Sequence, residues 1–97
     1  MKSGNTKNTG KRAVNFEVND NPGKEVFVAG SFNDWQPVKK LEDKNNTGIY
    51  RGRLMLPPGE YQYKFLIDGE WRSDASNPNF VPNEFGSLNS LLIVEKK

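Results

Sequence analysis

The sequence predicts an all-β domain, an immunoglobulin-like β-sandwich, on three observations. Apolar and polar residues alternate over short runs, as where Val14, Phe16 and Val18 flank Asn15 and Glu17, the two-residue period of a half-buried strand. Turn formers recur at short intervals, in Asn19 to Gly23, at Gly30, in Pro57-Pro58-Gly59 and in Asp68-Gly69, the spacing of sandwich strands. Hydrophobic residues are 34% of the chain, yet aromatics are 11%. That balance suits thin packing, in which a few large rings fill the space between two sheets.

The elements follow in order. Val14 to Val18 is the first strand, and Asn19 to Gly23 turns the chain with Asp, Asn, Pro and Gly. Glu25 to Ala29 is the second strand, ended by Gly30. Residues 30–48 form a polar excursion holding Trp35 and Pro37, with room for a short strand near Leu41. Ile49 to Leu56 is strand-like until Pro57-Pro58-Gly59 breaks it. Tyr61 to Ile67 alternates most clearly, with Tyr61, Tyr63, Phe65 and Ile67 on one face and Gln62, Lys64 and Leu66 on the other. Asp68-Gly69 leads into a brief strand at Trp71. Ser73 to Ser87, with two prolines, is expected to be irregular, and Leu88 to Val94 is the last strand. No convincing helix of three turns and no internal repeat is found. At 97 residues there is room for one core. The expected organisation is one domain over 13–95, with flexible tails over 1–12 and 96–97.

Charge divides along the same lines. The net charge is +2, but Lys2, Lys7, Lys11, Arg12, Lys96 and Lys97 sit in the tails. Residues 13–95 hold the other eight cations and all twelve acids, a net of −4. A nucleic-acid binder concentrates cations on its folded surface; this body repels phosphates, so no nucleic-acid partner is expected. No run approaches the ~18 apolar residues of a membrane span, and residues 1–12 lack the apolar stretch of a signal peptide. Without cysteine there is no disulfide framework, and a cytoplasmic setting is expected. No cofactor is implied.

Two tryptophans stand among turn and loop residues. Trp35 ends Gly30-Ser31-Phe32-Asn33-Asp34-Trp35, and Trp71 comes two residues after Asp68-Gly69. An exposed indole forgoes about 25 cal/mol per Å² of buried apolar area, so two of them suggest platforms for a ligand with apolar faces and polar edges. Asp-Gly favours a two-residue type I′ hairpin. Ile67 then pairs with Glu70 and Leu66 with Trp71, and paired residues share a sheet face. If Tyr63, Phe65 and Ile67 face the core, Trp71 and Lys64 are outside together as diagonal neighbours.

Three blocks carry a resemblance: Val26 to Trp35 (VFVAGSFNDW), Leu56 to Trp71 (LPPGEYQYKFLIDGEW) and Phe85 to Asn89 (FGSLN). In order and spacing they closely resemble the glycogen-binding domain of the AMP-activated protein kinase β subunit. That domain belongs to carbohydrate-binding module family 48, with the N-terminal modules of isoamylases and branching enzymes. The resemblance spans about residues 13–95. It implies an early-set, immunoglobulin-like sandwich that binds α-1,4-linked glucans such as glycogen, starch, malto-oligosaccharides and cyclodextrin. It further implies that Trp35 and Trp71 stack on glucose rings and that Lys64 hydrogen-bonds sugar hydroxyls. Phe85, Ser87 and Asn89 are implied as the apolar, hydroxyl and amide contacts of a late loop. Leucine is common where this chain has Phe85, and threonine where it has Ser87. A pyranose has apolar C–H faces ringed by hydroxyls, so aromatics beneath and donors at the edge suit it. Stacking of a flat ring at roughly 1–3 kcal/mol and a charged hydrogen bond at about 1.5–3, set against the cost of association, imply micromolar or weaker binding. Avidity on a multivalent glucan raises it.

Other readings of the same residues stand beside this one. Trp35 is also read as a core plug of its loop, Lys64 as a solvated cation, Phe85 as a loop anchor and Asn89 as a cap at the entry to the last strand. A protein-interaction or regulatory domain using the same aromatic face, with a kinase or a glucan-active enzyme as partner, is the second hypothesis. Catalysis is not expected. Asp68 and Glu70 flank a hairpin turn and face opposite sides, whereas glycoside hydrolysis needs two carboxyls across a cleft at ~5–10 Å. The chain has no histidine, no cysteine and no phosphate-binding glycine loop.

Overall fold

A computed structural model describes residues 10–37 and 39–96. Among them the strands are β1 (Arg12–Asn19), β2 (Val26–Gly30), β3 (Lys39–Leu41), β4 (Ile49–Leu56), β5 (Gly59–Ile67), β6 (Glu70–Arg72), β7 (Phe80–Pro82) and β8 (Leu88–Val94). The one helical element among the described residues is a single 3-10 turn, Ser31–Asn33.

The strands form the predicted β-sandwich. β1 and β4 make a two-stranded antiparallel sheet, running from Arg12 opposite Leu56 to Asn19 opposite Ile49. The larger sheet has the order β3-β2-β5-β8-β7, with β6 also paired to β5. Between the sheets lie Phe16 and Tyr50 from the small one and Val26, Val28, Leu41, Tyr63, Phe65 and Ile67 from the large one. Tyr63, Phe65 and Ile67 therefore point inward, as their alternation predicts. Phe16 and Tyr63 meet edge to face at 5.2 Å between ring centroids, a favoured aromatic geometry. Gly52 lies over Leu41: a Cβ there would stand 2.4 Å from Leu41 Cδ2, so a glycine lets β4 approach closely.

A buried polar pin ties the segment after β6 to the sheet. Tyr63 Oη donates to Asp74 Oδ2 at 2.6 Å and accepts from Asn77 Nδ2 at 3.1 Å. Asn77 Nδ2 also donates to the Leu91 carbonyl, and the Asp74 amide donates to Ser90 Oγ. Burial, together with the hydrogen bond to the Asp74 carboxylate, pushes the Tyr63 phenol well above its ordinary range.

Two expectations need correcting here. Residues 73–87 are not wholly irregular, because β7 pairs with β8 there from Phe80 opposite Ser90 to Pro82 opposite Leu88. Pro82 lacks an N–H and so disguised the strand, but an edge position tolerates it. Arg12, expected in the tail, already pairs in β1. The rest of the expected tail through residue 9, and Lys97, lie outside the described residues.

Candidate functional site

The outer face of the large sheet is set by its hairpins. Asp68 (φ 47°) and Gly69 (φ 84°) both have positive φ, as a type I′ turn requires. Leu66 pairs with Trp71 and Ile67 with Glu70, the register the Asp-Gly pair predicts. Trp71 thus stands on the face of Gln62, Lys64 and Leu66, opposite the core, and is 46% exposed.

Trp35 reaches the same face through a constrained turn. Gly30 N–H donates to Asn33 Oδ1 at 3.0 Å, and Trp35 N–H donates to the Gly30 carbonyl at 2.9 Å. A Cβ on Gly30 would stand 2.3 Å from the Gln62 carbonyl oxygen, so only glycine lets this turn lie against β5. Asp34 and Trp35 are both left-handed, at φ 55° and 61°, a conformation that costs an L-residue about 1–2 kcal/mol. Such strain persists where surrounding bonds impose it, often at ligand sites. Trp35 is half-buried and is not among the core residues.

The β7–β8 hairpin closes the groove. Phe85 at its tip is 84% exposed, which removes the reading of Phe85 as a loop anchor. Lys64 Nζ donates to Ser87 Oγ at 2.8 Å. Asn89 lies within β8 and is 8% exposed, with Nδ2 donating to Gln62 Oε1 and Oδ1 accepting from Asn83 Nδ2, each at 3.0 Å. It is part of the groove floor rather than a cap. Lys64 requires a correction. It lies on the outer face as expected, but at 8% exposure it is buried rather than solvated, because its ammonium turns under the hairpin tip to reach Ser87. Among the described residues, Ser87 Oγ is the one acceptor the ammonium meets. Two of its three donors remain for a ligand.

One open cavity of about 740 Å³ is lined by Trp35, Lys64, Trp71, Phe85, Ser87 and Asn89, together with Ser31, Gln62, Asn83 and Glu84. All six residues singled out in the sequence meet there. A second concavity of about 830 Å³ spans β1, β4 and the turn after β3. It is larger, but its one aromatic, Phe16, is a buried core residue, so it offers no ring to a ligand. Among the described residues no cluster of three or more potential metal ligands occurs.

The model for the glycogen recognition site of AMP-activated protein kinase matches residues 13–97. The chain belongs to this family. It is 43% identical over 74 residues to the pig AMP-activated protein kinase subunit beta-1, covering 76% of this chain and 57% of that protein. Against the human subunit beta-2 it is 45% identical, again over 76% of this chain but 26% of the relative. The chain therefore spans from about a quarter to somewhat over half of the relatives it matches. A maltogenic amylase from S. marinus aligns with a TM-score of 0.72 at 22% identity, over 91% of this chain and 14% of the amylase. That likeness is one of fold.

Four lining residues of this glycogen-recognition domain escaped the sequence reading as site residues. Gln62 was already on the face of Lys64 by alternation. Asn83 begins a glycine-containing tip, the ordinary setting of a side chain that caps its own turn. Ser31 and Glu84 carry no sequence signal of their own.

Proposed function

We propose that this groove binds an α-1,4-linked glucan by stacking glucose rings on Trp35 and Trp71, with Phe85 adding a third apolar face. Lys64 donates to sugar hydroxyls, Ser87 holds its ammonium in place, and Asn89 offers its amide at the floor. The observation that carries this reading is the convergence of three non-core aromatics around a buried lysine with donors to spare. The chemistry fits a pyranose, whose faces are apolar and whose rim is hydroxyl. Binding is not coupled to catalysis in this proposal. Of the groove's lining residues Glu84 alone is acidic, and glycosidic cleavage calls for a carboxyl pair.

Titration with maltoheptaose or a cyclodextrin, followed by tryptophan fluorescence and amide shifts, tests the reading. The expected result is saturable binding at micromolar or weaker affinity, with shifts confined to the turn that holds Trp35, to β5 and β6, and to the β7–β8 hairpin. Shifts centred on β1 and β4, or no binding, would overturn it.

A second reading is supported by the relatives, which are kinase subunits longer than the matched region. The module also serves as the regulatory part of a larger assembly, partnered by a kinase or a glucan-active enzyme. Competition between glucan and partner for the aromatic face separates the two roles. A cytoplasmic setting suits a chain without cysteine, and residues 13–95, with Arg12 pairing at the start of β1, form the binding unit.

A further inference from the structure

We propose that Asn83 is the positioning residue of this site: its side-chain amide sets where the Phe85 ring and the Ser87 hydroxyl stand relative to Lys64. The inference rests on the glucan reading and assigns a role to a residue that stacks on nothing itself.

The hairpin tip has little else to shape it. Residues 84–87 are all exposed, so no burial of apolar surface fixes their positions, and hydrogen bonds must. They converge on one residue. Asn83 Oδ1 accepts from the Phe85 amide at 2.9 Å and from the Ser87 amide at 3.0 Å. The Asn83 amide donates to the Ser87 carbonyl at 2.9 Å, and its carbonyl accepts from Gly86 N–H at 3.3 Å. Gly86, at φ 79°, makes the left-handed step this closure needs.

The other end of the same amide fastens the tip to the sheet. Asn83 Nδ2 donates to Asn89 Oδ1, whose own Nδ2 donates to Gln62 Oε1. A continuous path thus runs from the Asn83 side chain through the Ser87 backbone to Ser87 Oγ, and from there to Lys64 Nζ. Only an amide of this length both accepts two backbone N–H groups and donates to Asn89. Aspartate keeps the two acceptor contacts and loses the donor; alanine loses all three.

The test measures maltoheptaose affinity, denaturation midpoint and backbone amide proton shifts in Asn83→Ala and Asn83→Asp. It repeats the Ala substitution in a Phe85→Ala/Ser87→Ala background. Asn83→Ala is expected to weaken binding about tenfold, the effect of one or two net hydrogen bonds. The denaturation midpoint stays near that of wild type, and the Phe85 and Ser87 amide protons move upfield. Asn83→Asp is expected to bind within about threefold of wild type, since both acceptor contacts survive. In the double background Asn83→Ala costs nothing further, because it acts through the two residues already removed. An Asn83→Ala variant that binds like wild type overturns the proposal. So does a loss that tracks the denaturation midpoint or persists undiminished in the double background. A wild-type chain that does not bind maltoheptaose instead overturns the glucan reading itself.

Discussion

Lys64 Nζ and Ser87 Oγ, 2.8 Å apart, join the central strand β5 to the tip of the β7–β8 hairpin. The contact sets the ammonium of a lysine that is 8% exposed as a residue against a neutral hydroxyl. An arrangement that buries a cation beside a single neutral acceptor contributes little to folding. It leaves donors to spare, and in the proposed reading the lysine serves binding rather than stability.

Lys64→Met tests that division. Methionine keeps the apolar stem and removes the charge, so the denaturation midpoint is expected to hold or rise slightly. Glucan affinity is expected to fall about 10- to 150-fold, matching the roughly 1.5–3 kcal/mol of a charged hydrogen bond. Calorimetric titration and thermal melts on one preparation give both values. Wild-type affinity in the methionine variant would remove Lys64 from the site.

What could be read from the sequence was local and periodic. The Asp68-Gly69 pair determined the β5–β6 register, and with it the face of Trp71, because both positive-φ positions fall on residues that tolerate them. Alternation placed Tyr63, Phe65 and Ile67 inside. Lys64 was placed on the right face but at the wrong depth. Its burial depends on a hairpin tip more than twenty residues further on, and no periodicity encodes that packing. β7 was hidden by Pro82 and by its length of three residues. The role of Asn83 is a matter of hydrogen bonds across a loop, for which sequence offers a turn preference and no partner.

The buried phenol of Tyr63 makes stability sensitive to alkali. Its folded pKa lies above the ordinary value of 10.0, through burial and the neighbouring Asp74 carboxylate. The unfolded chain therefore releases this proton first. The stabilisation is full below about pH 10 and is lost as pH rises through the folded value. Denaturation midpoints of wild type should decline above pH 10. Those of Tyr63→Phe should start lower, because Asp74 and Asn77 lose a partner, and should decline less steeply. Equal slopes in the two proteins would show that another group governs the alkaline limb.

Salt should have little effect on glucan binding. A neutral sugar displaces no condensed counterions, unlike a phosphate backbone, and the Lys64 donors act at hydrogen-bond range in a partly dry site. Affinity measured from low to moderate ionic strength is expected to stay within about twofold. A steep, log-linear fall would point instead to an anionic ligand.

Trp71→Ala separates a binding platform from a structural residue. The side chain is 46% exposed, whereas Phe65, on the opposite face of the adjacent strand, is 0% exposed. Removing a stacking face should cost about 1–3 kcal/mol of glucan binding, or about 5- to 150-fold. Folding stability should move by no more than about 0.5 kcal/mol, since an exposed side chain leaves no cavity. Phe65→Ala is the contrast: it should lower stability by about 3–5 kcal/mol, and any loss of binding should follow unfolding. If Trp71→Ala instead lowered the denaturation midpoint as far as Phe65→Ala, the indole would be holding β6 onto β5 rather than meeting a ligand. A Trp71→Ala variant that is folded and binds glucan at full strength would remove the platform altogether, leaving Trp35 and Phe85 as the stacking faces of the groove.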